Sequence, residues 1–307
     1  YYLNKMIANR LPTSEGGTVL GHALTASGGV ESEFTITRDG EKFFAVSSGA
    51  AERHDHDVLL RTLPRDGSVN LKNITLEHGT LVVCGPRSRD LLSKITDADL
   101  SNDGFPWLTS QRITVAGVSL LALRVNFVGE LGWELHHPIN QQVRLFDSIV
   151  EAGDEFGLRH FGMYAMESMR LEKSYRMWGS DLTREYSILE AGLSRFVRLK
   201  KDEFVGKEAL LLQKETGVPQ EFVTLEIEVT DADALGSEPI FRNGEMVGRA
   251  TSGCYGHSVG KSLALAYVKS GRGDLGTELE IEILGERCSA RVIPESPCDP
   301  ENLKLRA

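Results

Sequence analysis

Residues 125–138 read Val-Asn-Phe-Val-Gly-Glu-Leu-Gly-Trp-Glu-Leu-His-His-Pro, in which apolar strand formers alternate with acids and glycines. Valine, phenylalanine, leucine and tryptophan favour a half-buried strand, whereas a carboxylate held in such a place needs a partner. Glu130 and Glu134 each follow or precede a glycine closely, and a ligand can approach the backbone at a glycine. Two interpretations follow. The stretch is either a half-exposed β-hairpin with solvated glutamates or a ligand-binding wall in which Glu134 accepts hydrogen bonds from a planar, N–H-rich ring.

The composition indicates a globular protein of two or three domains. The chain has 307 residues, of which 41% are hydrophobic, and this is enough for more than one core. Its net charge of −10 argues against a surface that neutralises nucleic-acid phosphates. No apolar run approaches the roughly 20 residues that cross a bilayer, and no signal peptide is evident, so we expect no membrane partner and a cytoplasmic or, in a eukaryote, mitochondrial-matrix location. Because the chain begins with tyrosine, we expect it to be part of a longer protein whose N-terminus is missing.

Outward from the opening stretch, the first half of the chain predicts mixed α and β structure. Residues 33–46 read as a β-hairpin with its turn at Asp39-Gly40. A ferredoxin-like layer is predicted from strands at residues 80–84, 111–115 and 118–127 and helices at residues 86–95 and 140–153. The fold class is therefore α+β.

The second half predicts a long helix and then a barrel. Residues 163–178 contain neither glycine nor proline, which predicts one helix over most of that span. Residues 216–219, Thr-Gly-Val-Pro, read as a linker, and apolar residues alternate with polar ones beyond it, which predicts a small antiparallel β-barrel. The predicted domains are residues 1–62 with 140–217, residues 63–139 with a last helix reaching toward residue 153, and residues 218–307.

Motifs for several other chemistries are missing or weak. We expect no Gly-x-Gly-x-x-Gly segment after a strand and no P-loop, so any flavin or nucleotide site should lie outside this chain. The His-Asp-His-Asp run at residues 54–57 would point in several directions on a helix, and we predict no metal site. Cys254 lacks a cysteine-protease signature, and the four cysteines lack a CxxC pair, which predicts reduced thiols.

Two further positions are candidate ligand contacts. Glu33 follows the paired glycines at residues 28–29, so that its carboxylate could sit near a ligand or simply face solvent. Trp178 comes just after the predicted helix, where ligand stacking and core packing explain an aromatic side chain about equally well.

Short motifs recur in order along nearly the whole chain. They are GGVESEFT (28–35), VCGP (83–86), GELGWEL (129–135), MRLEK (169–173), WGSD (178–181), LEAGL (189–193), FVGK (204–207), TSGC (251–254) and KSLA (261–264). Together they resemble the folate-binding aminomethyltransferase family, typified by the glycine cleavage T-protein. Within that family the resemblance is closest to the C-terminal tetrahydrofolate-binding region of dimethylglycine and sarcosine dehydrogenases.

The resemblance implies a fold and a set of site residues. It implies a three-domain cloverleaf with tetrahydrofolate in a central channel. Glu33 occupies the position of the family's catalytic acid. That acid is usually aspartate, and it lies near the folate nitrogens that receive the one-carbon unit. Glu134 would hold the pterin ring through its N–H groups. Phe127 and His136 stand where family members often have tyrosines and would contact folate, and Trp178 would help to shape the pocket.

The resemblance also implies a function with two alternatives. The chain would be the one-carbon-transfer portion of an FAD-dependent N-methylamine dehydrogenase, forming 5,10-methylenetetrahydrofolate, with the FAD bound in a missing domain or a partner subunit. One alternative is a standalone tetrahydrofolate-dependent demethylase or aminomethyltransferase, and the other is a non-catalytic folate-binding scaffold. Lys200 and Lys201 are candidates for contacting the negatively charged folate tail. The methylated amine itself is bound outside this chain in the leading interpretation.

Overall fold

The computed structural model describes residues 2–307, which form two compact units. Among these residues the first unit comprises 2–11, 20–34 and 162–300, and the second comprises 12–19, 35–161 and 301–307. The fold class is α+β, as the sequence predicts. The division into three domains at the boundaries given above remains a prediction.

The predicted hairpin at residues 33–46 is confirmed. It is part of a three-stranded sheet in the order β1-β2-β3, with strands Thr18–Leu24 (β1), Val30–Asp39 (β2) and Lys42–Val46 (β3). In the β2–β3 pair Thr35 faces Val46 and Asp39 faces Lys42, and Gly40 turns the chain with a φ of +62°. Two helices complete this part of the chain, Tyr2–Met6 (α1) and Glu52–Arg61 (α2).

The second unit contains a four-stranded antiparallel sheet. Its strands are His78–Cys84 (β4), Ser110–Val115 (β5), Val118–Leu123 (β6) and Gly132–Pro138 (β7), in the order β4-β7-β6-β5, and the neighbouring helices are Ser88–Ser93 (α3) and Gln142–Gly153 (α4). Side chains alternate between the two faces of β7. Trp133 and Leu135 are fully buried in the hydrophobic core of this unit, so Glu134 and His136 lie on the opposite face.

The prediction of a strand from residue 118 to 127 was wrong at its end, because β6 stops at Leu123. Asn126 closes a turn here: its Oδ1 accepts hydrogen bonds from the backbone N–H groups of Val128 (3.0 Å) and Gly129 (2.9 Å). Gly129 has a φ of +74°, which a glycine adopts without strain. An asparagine side chain that bonds backbone groups two or three residues on competes with the strand ladder. Pairing resumes only at Gly132.

The helix predicted over most of residues 163–178 is confirmed, and it fills the first ten residues of that span. The helix runs over Met163–Glu172 (α5), and Ser174 then takes a φ of +53°. The backbone N–H of Tyr175 turns back to the carbonyl of Arg170 (3.0 Å), which satisfies one of the free carbonyls at the helix end. Absence of glycine and proline permits a helix, but it does not prevent another residue from ending one. The next helix is Lys207–Thr216 (α6).

The predicted C-terminal barrel is confirmed as a closed, six-stranded antiparallel structure. Its strands are Gln220–Ile227 (β8), Pro239–Arg242 (β9), Glu245–Gly256 (β10), Lys261–Lys269 (β11), Glu278–Ile283 (β12) and Glu286–Ile293 (β13), closed in the order β10-β11-β8-β13-β12-β9. Apolar side chains of alternating positions fill it. The expectation that no Gly-x-Gly-x-x-Gly segment follows a strand was wrong, because residues 271–276 have this pattern after β11. They lead into β12 and open no helix, so they do not form a dinucleotide-binding turn. None of the helices in residues 2–307 is long and apolar enough to cross a membrane.

A buried ion pair in the first unit connects the segment after α5 to the barrel. Arg170 donates from Nη1 to Oδ2 of Asp181 (2.7 Å), and both side chains are almost completely buried. Arg170 also donates to Glu167 (2.7 Å), and its Nη2 donates to the Ser252 hydroxyl on β10 (2.7 Å). Asp181 accepts further hydrogen bonds from the Met177 N–H (2.9 Å) and from the Ser252 hydroxyl (2.8 Å). These bonds satisfy both charges and fix the turn that carries Trp178.

Candidate functional site

The predicted site residues belong to different units of the structure. Glu33 and Trp178 lie in the first unit, whereas Phe127, Glu134 and His136 lie in the second. The structure brings Glu134 and His136 into contact, as described below. It also gives Glu33 a partner that the sequence did not predict.

Glu134 lies in the middle of the four-stranded sheet with one carboxylate oxygen held in place. Its strand, β7, has β4 on one side and β6 on the other, and Glu134 faces Val82 and Leu123 in those strands. Nε2 of His136 is 3.2 Å from Oε2 of Glu134, and about a fifth (21%) of the Glu134 side chain is exposed. The carboxylate is therefore oriented by the protein on one side and open on the other.

His136 is itself positioned by its neighbours. Its side chain is only 3% exposed, and its Nδ1 is 3.0 Å from the hydroxyl of Thr80 on β4. The ring of Phe44 meets the imidazole edge-on, with centroids 5.1 Å apart. Because the Glu134 carboxylate only accepts hydrogen bonds, Nε2 of His136 carries a proton, and the Thr80 hydroxyl donates to Nδ1 of the neutral ring. The chain Thr80–His136–Glu134 thus fixes the orientation of the acid, a role beyond the folate contact that the resemblance implies for His136.

Phe127 and Glu130 occupy the irregular segment between β6 and β7. Phe127 is half-buried there. Glu130 has its Oε1 3.4 Å from Nζ of Lys304, and its side chain is 17% exposed. Of the two acids in residues 125–138, Glu130 has a lysine partner, whereas Glu134 is paired with a histidine. The solvated-glutamate interpretation therefore fits neither acid.

Glu33 lies on β2, and its partner is a histidine on β1. Nε2 of His22 is 2.8 Å from Oε2 of Glu33; His22 is fully buried, and 22% of the Glu33 side chain is exposed. Sequence reasoning missed His22, because a lone histidine in an apolar strand gives no signal of its own. In the structure His22 lies in a continuously buried run, residues 21–24 of β1.

The turn before Glu33 is tightly built. The N–H of Thr25 donates to the Gly29 carbonyl (2.8 Å), and the Thr25 hydroxyl accepts from the Gly29 N–H (3.0 Å). A methyl group on Gly29 would lie 2.1 Å from the carbonyl oxygen of Arg184, so only glycine fits at this position. Next along the strand, Glu31 is paired with Arg184 at 3.0 Å. The motif at residues 28–35 is thus required for packing as well as for any ligand contact.

Trp178 is half-buried and packs against the core of the first unit. Its backbone forms a bridge with Leu182, across the turn that Asp181 stabilises. This environment supports the core-packing interpretation, and a contact of Trp178 with folate remains a prediction.

Lys201 is used within the protein. Its Nζ donates to three backbone carbonyls, those of Asn4 (2.5 Å), Ile7 (2.5 Å) and Asn9 (3.1 Å). Burial lowers the pKa of Lys201 to about 8, while the three carbonyl oxygens favour its charged form and oppose that shift. Lys201 therefore ties the N-terminal segment down, and the suggestion that it binds the folate tail was wrong. Lys200 is exposed.

The cysteines and the His-Asp run form no reactive or metal-binding cluster. Burial raises the pKa of the Cys84 and Cys254 thiols to about 11, which makes them poor nucleophiles near neutral pH. No disulfide joins the cysteines of residues 2–307. Across the same residues no three side chains of histidine, cysteine, aspartate or glutamate are grouped so that they could hold a metal ion.

Comparison with known proteins agrees with this architecture. Residues 1–201 match the family described as "GCVT N-terminal domain", and residues 220–299 match "Glycine cleavage T-protein C-terminal barrel domain". Human mitochondrial dimethylglycine dehydrogenase is 40% identical over 296 residues, which cover 95% of this chain and 34% of that protein. The chain thus spans about a third of the length of this relative.

A second relative is covered over four fifths of its length. An aminomethyltransferase of Thermoanaerobacter sp. (strain X514) is 30% identical over 296 residues, which cover 96% of this chain and 80% of that protein. The fold matches the crystal structure of the glycine cleavage system aminomethyltransferase T from Bartonella henselae, with a TM-score of 0.85 over 97% of this chain and 81% of the other, at 23% identity. The chain is therefore a member of the glycine cleavage T-protein (GCVT) family.

Proposed function

We propose that this chain binds tetrahydrofolate and transfers a one-carbon unit to it, forming 5,10-methylenetetrahydrofolate. One observation carries the proposal: Glu33 and Glu134 are each partly exposed carboxylates held on one oxygen by a buried histidine. Such acids are oriented before any ligand arrives, which lowers the entropic cost of binding and of proton transfer. Membership of the GCVT family supports the proposal. The roles of Glu33 and Glu134 are those that the resemblance of the motifs at residues 28–35 and 129–135 implies.

In this proposal Glu134 orients the pterin ring. The pterin offers a ring N–H and an exocyclic amine side by side, and an ionised carboxylate accepts both in a two-bond, charge-assisted pair. His136 occupies Oε2 from one side, and the carboxylate remains open on the other. Phe127 has no hydroxyl and would contact folate by packing alone, while Trp178 would contribute to the wall of the pocket. The residues present fit the ligand chemically.

Glu33 would assist proton transfer at the folate nitrogens. Formation of the methylene bridge from formaldehyde removes two N–H hydrogens from folate and one oxygen from formaldehyde, which leave together as water. Glu33 is suited to take and return such a proton, because its Oε2 is fixed by His22 while part of the side chain stays accessible. The carboxylate is one methylene longer than the usual aspartate, so its reach depends on how its side chain is held.

We propose further that the one-carbon unit comes from an N-methyl amine, such as dimethylglycine or sarcosine, oxidised at an FAD site outside residues 1–307. The length of the dehydrogenase relative, of which the chain spans 34%, supports this assignment. A second candidate is a standalone aminomethyltransferase with no flavin partner, and the 80% coverage of the Thermoanaerobacter protein favours it. A chain that binds folate without turning it over would instead be a scaffold.

Calorimetry with tetrahydrofolate tests the proposal. The chain should bind tetrahydrofolate, and Glu134→Ala should weaken binding by about 2 kcal/mol or more, as expected when a charged hydrogen-bond acceptor is removed. Glu130→Ala is the matched control, since it removes the same charge from the same segment but from an acid paired with Lys304. Equal affinities of the Glu134→Ala variant and the wild type would contradict the pterin assignment, and absence of binding to the wild type would contradict the proposed function.

A further inference from the structure

His22 is a fully buried histidine whose two ring nitrogens have opposite surroundings. Nε2 lies 2.8 Å from Oε2 of Glu33. Nδ1 is also buried, and it has no hydrogen-bond partner among residues 2–307. The ring of Phe196 packs against the imidazole, with the two centroids 5.7 Å apart. The only polar contact of this side chain within the described structure is therefore the one to Glu33.

These surroundings fix the ring tautomer. A carboxylate only accepts hydrogen bonds, so the bond to Glu33 requires a proton on Nε2 of His22. The neutral ring then leaves only the Nδ1 lone pair without a partner. A proton on Nδ1 instead would bury an unsatisfied N–H donor and turn the Nε2 lone pair toward the carboxylate oxygen, which costs more.

The hydrogen bond restrains a flexible side chain. Glutamate has three side-chain torsions, and fixing them costs conformational entropy unless a contact holds them. His22 holds Oε2 from a buried strand, while the partly exposed remainder of the carboxylate is free to meet a ligand. We infer that His22 is the positioning residue that aims Glu33 at the folate nitrogens and fixes the reach of its longer side chain. This inference rests on the proposed function, because it deepens the role given to Glu33.

A matched pair of substitutions tests it. In His22→Gln the amide nitrogen occupies nearly the place of Nε2 and can still donate to Glu33. In His22→Asn the amide lies near the place of Nδ1 and cannot reach it. Both variants keep a neutral polar side chain in the same cavity, so a purely structural histidine would be replaced about equally badly by either.

The readout is the rate at which the chain forms 5,10-methylenetetrahydrofolate from formaldehyde, with tetrahydrofolate affinity measured separately. We expect His22→Asn to lower the rate on the order of tenfold or more, which is the worth of a hydrogen bond to a charged group, with folate affinity unchanged. His22→Gln should stay within about threefold of the wild type. Equal rates for the two variants, or a parallel loss of affinity and rate, would overturn the inference.

A double-variant cycle shows whether His22 acts through Glu33. In the Glu33→Asp background the shorter carboxylate withdraws from Nε2, so adding His22→Asn should change the rate by less than about twofold. An undiminished effect in that background would show that His22 acts on something other than Glu33.

A measurement on the wild-type chain covers the case in which the variants do not fold. Histidine-selective nitrogen-15 labelling reads the tautomer of His22 by NMR spectroscopy, and we expect the proton on Nε2. A proton on Nδ1 would overturn the inference.

Failure of the inference about His22 can be distinguished from failure of the proposed function. If Glu33→Gln forms product at the wild-type rate, the role of Glu33 is wrong; if Glu33→Gln is slow while His22→Asn matches His22→Gln, only the positioning role of His22 is wrong.

Discussion

Removal of Asp181 should destabilise the first unit by several kcal/mol. Asp181 is fully buried and accepts hydrogen bonds from Arg170 (2.7 Å), the Met177 N–H (2.9 Å) and the Ser252 hydroxyl (2.8 Å). Asp181→Ala leaves the buried guanidinium of Arg170 with Glu167 as its remaining acidic partner. It also deprives three other donors, the Met177 N–H and the Ser252 and Thr251 hydroxyls, of an acceptor. Breaking a buried ion pair by removing one partner costs about 3–5 kcal/mol.

Urea unfolding, followed by hydrogen exchange of peptides from α5 and the barrel, measures the cost in the unit that contains Asp181. The control is Glu226→Ala, which removes an exposed ion pair of the same length in the same unit: Lys261 Nζ lies 2.7 Å from Glu226 Oε1. The control should leave the urea midpoint unchanged, because water screens exposed pairs. Equal midpoints for Asp181→Ala and Glu226→Ala would show that burial of the Arg170–Asp181 pair does not determine its contribution, and the argument would be wrong.

Three further predictions concern other parts of the chain. Because burial raises the pKa of the Cys84 and Cys254 thiols to about 11, roughly one thousandth of each is thiolate at pH 8, and alkylation of both should be slow. The alkylation rate, measured by mass spectrometry, should rise about tenfold per pH unit. A plateau of the rate below pH 9 would contradict the raised pKa. Lys201→Met leaves three carbonyls without a donor and should speed exchange of the Arg198 amide, which donates to the Ala8 carbonyl, while the exposed Lys200→Met should not. Gly29→Ala places a methyl group 2.1 Å from the Arg184 carbonyl oxygen and should lower the free energy of unfolding by about 1–3 kcal/mol, measured by thermal unfolding. Gly49→Ala is the control, because its methyl group would meet no atom within 4 Å, and it should change that free energy little.

Strong local patterns made the larger elements predictable. The hairpin at residues 33–46 follows from two short apolar-rich runs on either side of Asp39-Gly40, and that turn fixes its register. The barrel follows from the alternation of apolar and polar residues in strands such as β8 and β12. The family could be predicted because nine short motifs keep their order, although each alone is weak. The family assignment and the barrel are confirmed, whereas the roles of Glu33, Glu134, Phe127, His136 and Trp178 remain proposals.

Element ends and partners depended on contacts that a linear pattern does not contain. The strand predicted to residue 127 ends at Leu123, because the Asn126 side chain binds the backbone. The helix predicted over most of residues 163–178 ends at Glu172, because Ser174 turns with a positive φ, and the linear pattern did not indicate this end point. Lys201 was predicted as a ligand contact from its charge alone, but backbone carbonyls occupy its donors. His22 was not predicted as a site residue, because its role depends on its contact with Glu33 on another strand, and a linear pattern does not show that contact.

The central claim is that this chain transfers a one-carbon unit to tetrahydrofolate with Glu33 assisting proton transfer. The most direct measurement is the rate of 5,10-methylenetetrahydrofolate formation from formaldehyde at saturating tetrahydrofolate, compared with the uncatalysed condensation. The wild type should exceed the uncatalysed rate, and Glu33→Gln should lose about a hundredfold of the enzymatic rate, the typical contribution of a positioned acid or base, with folate affinity retained. A Glu33→Gln variant that forms product at the wild-type rate, or a wild-type chain no faster than the uncatalysed reaction, would contradict the account.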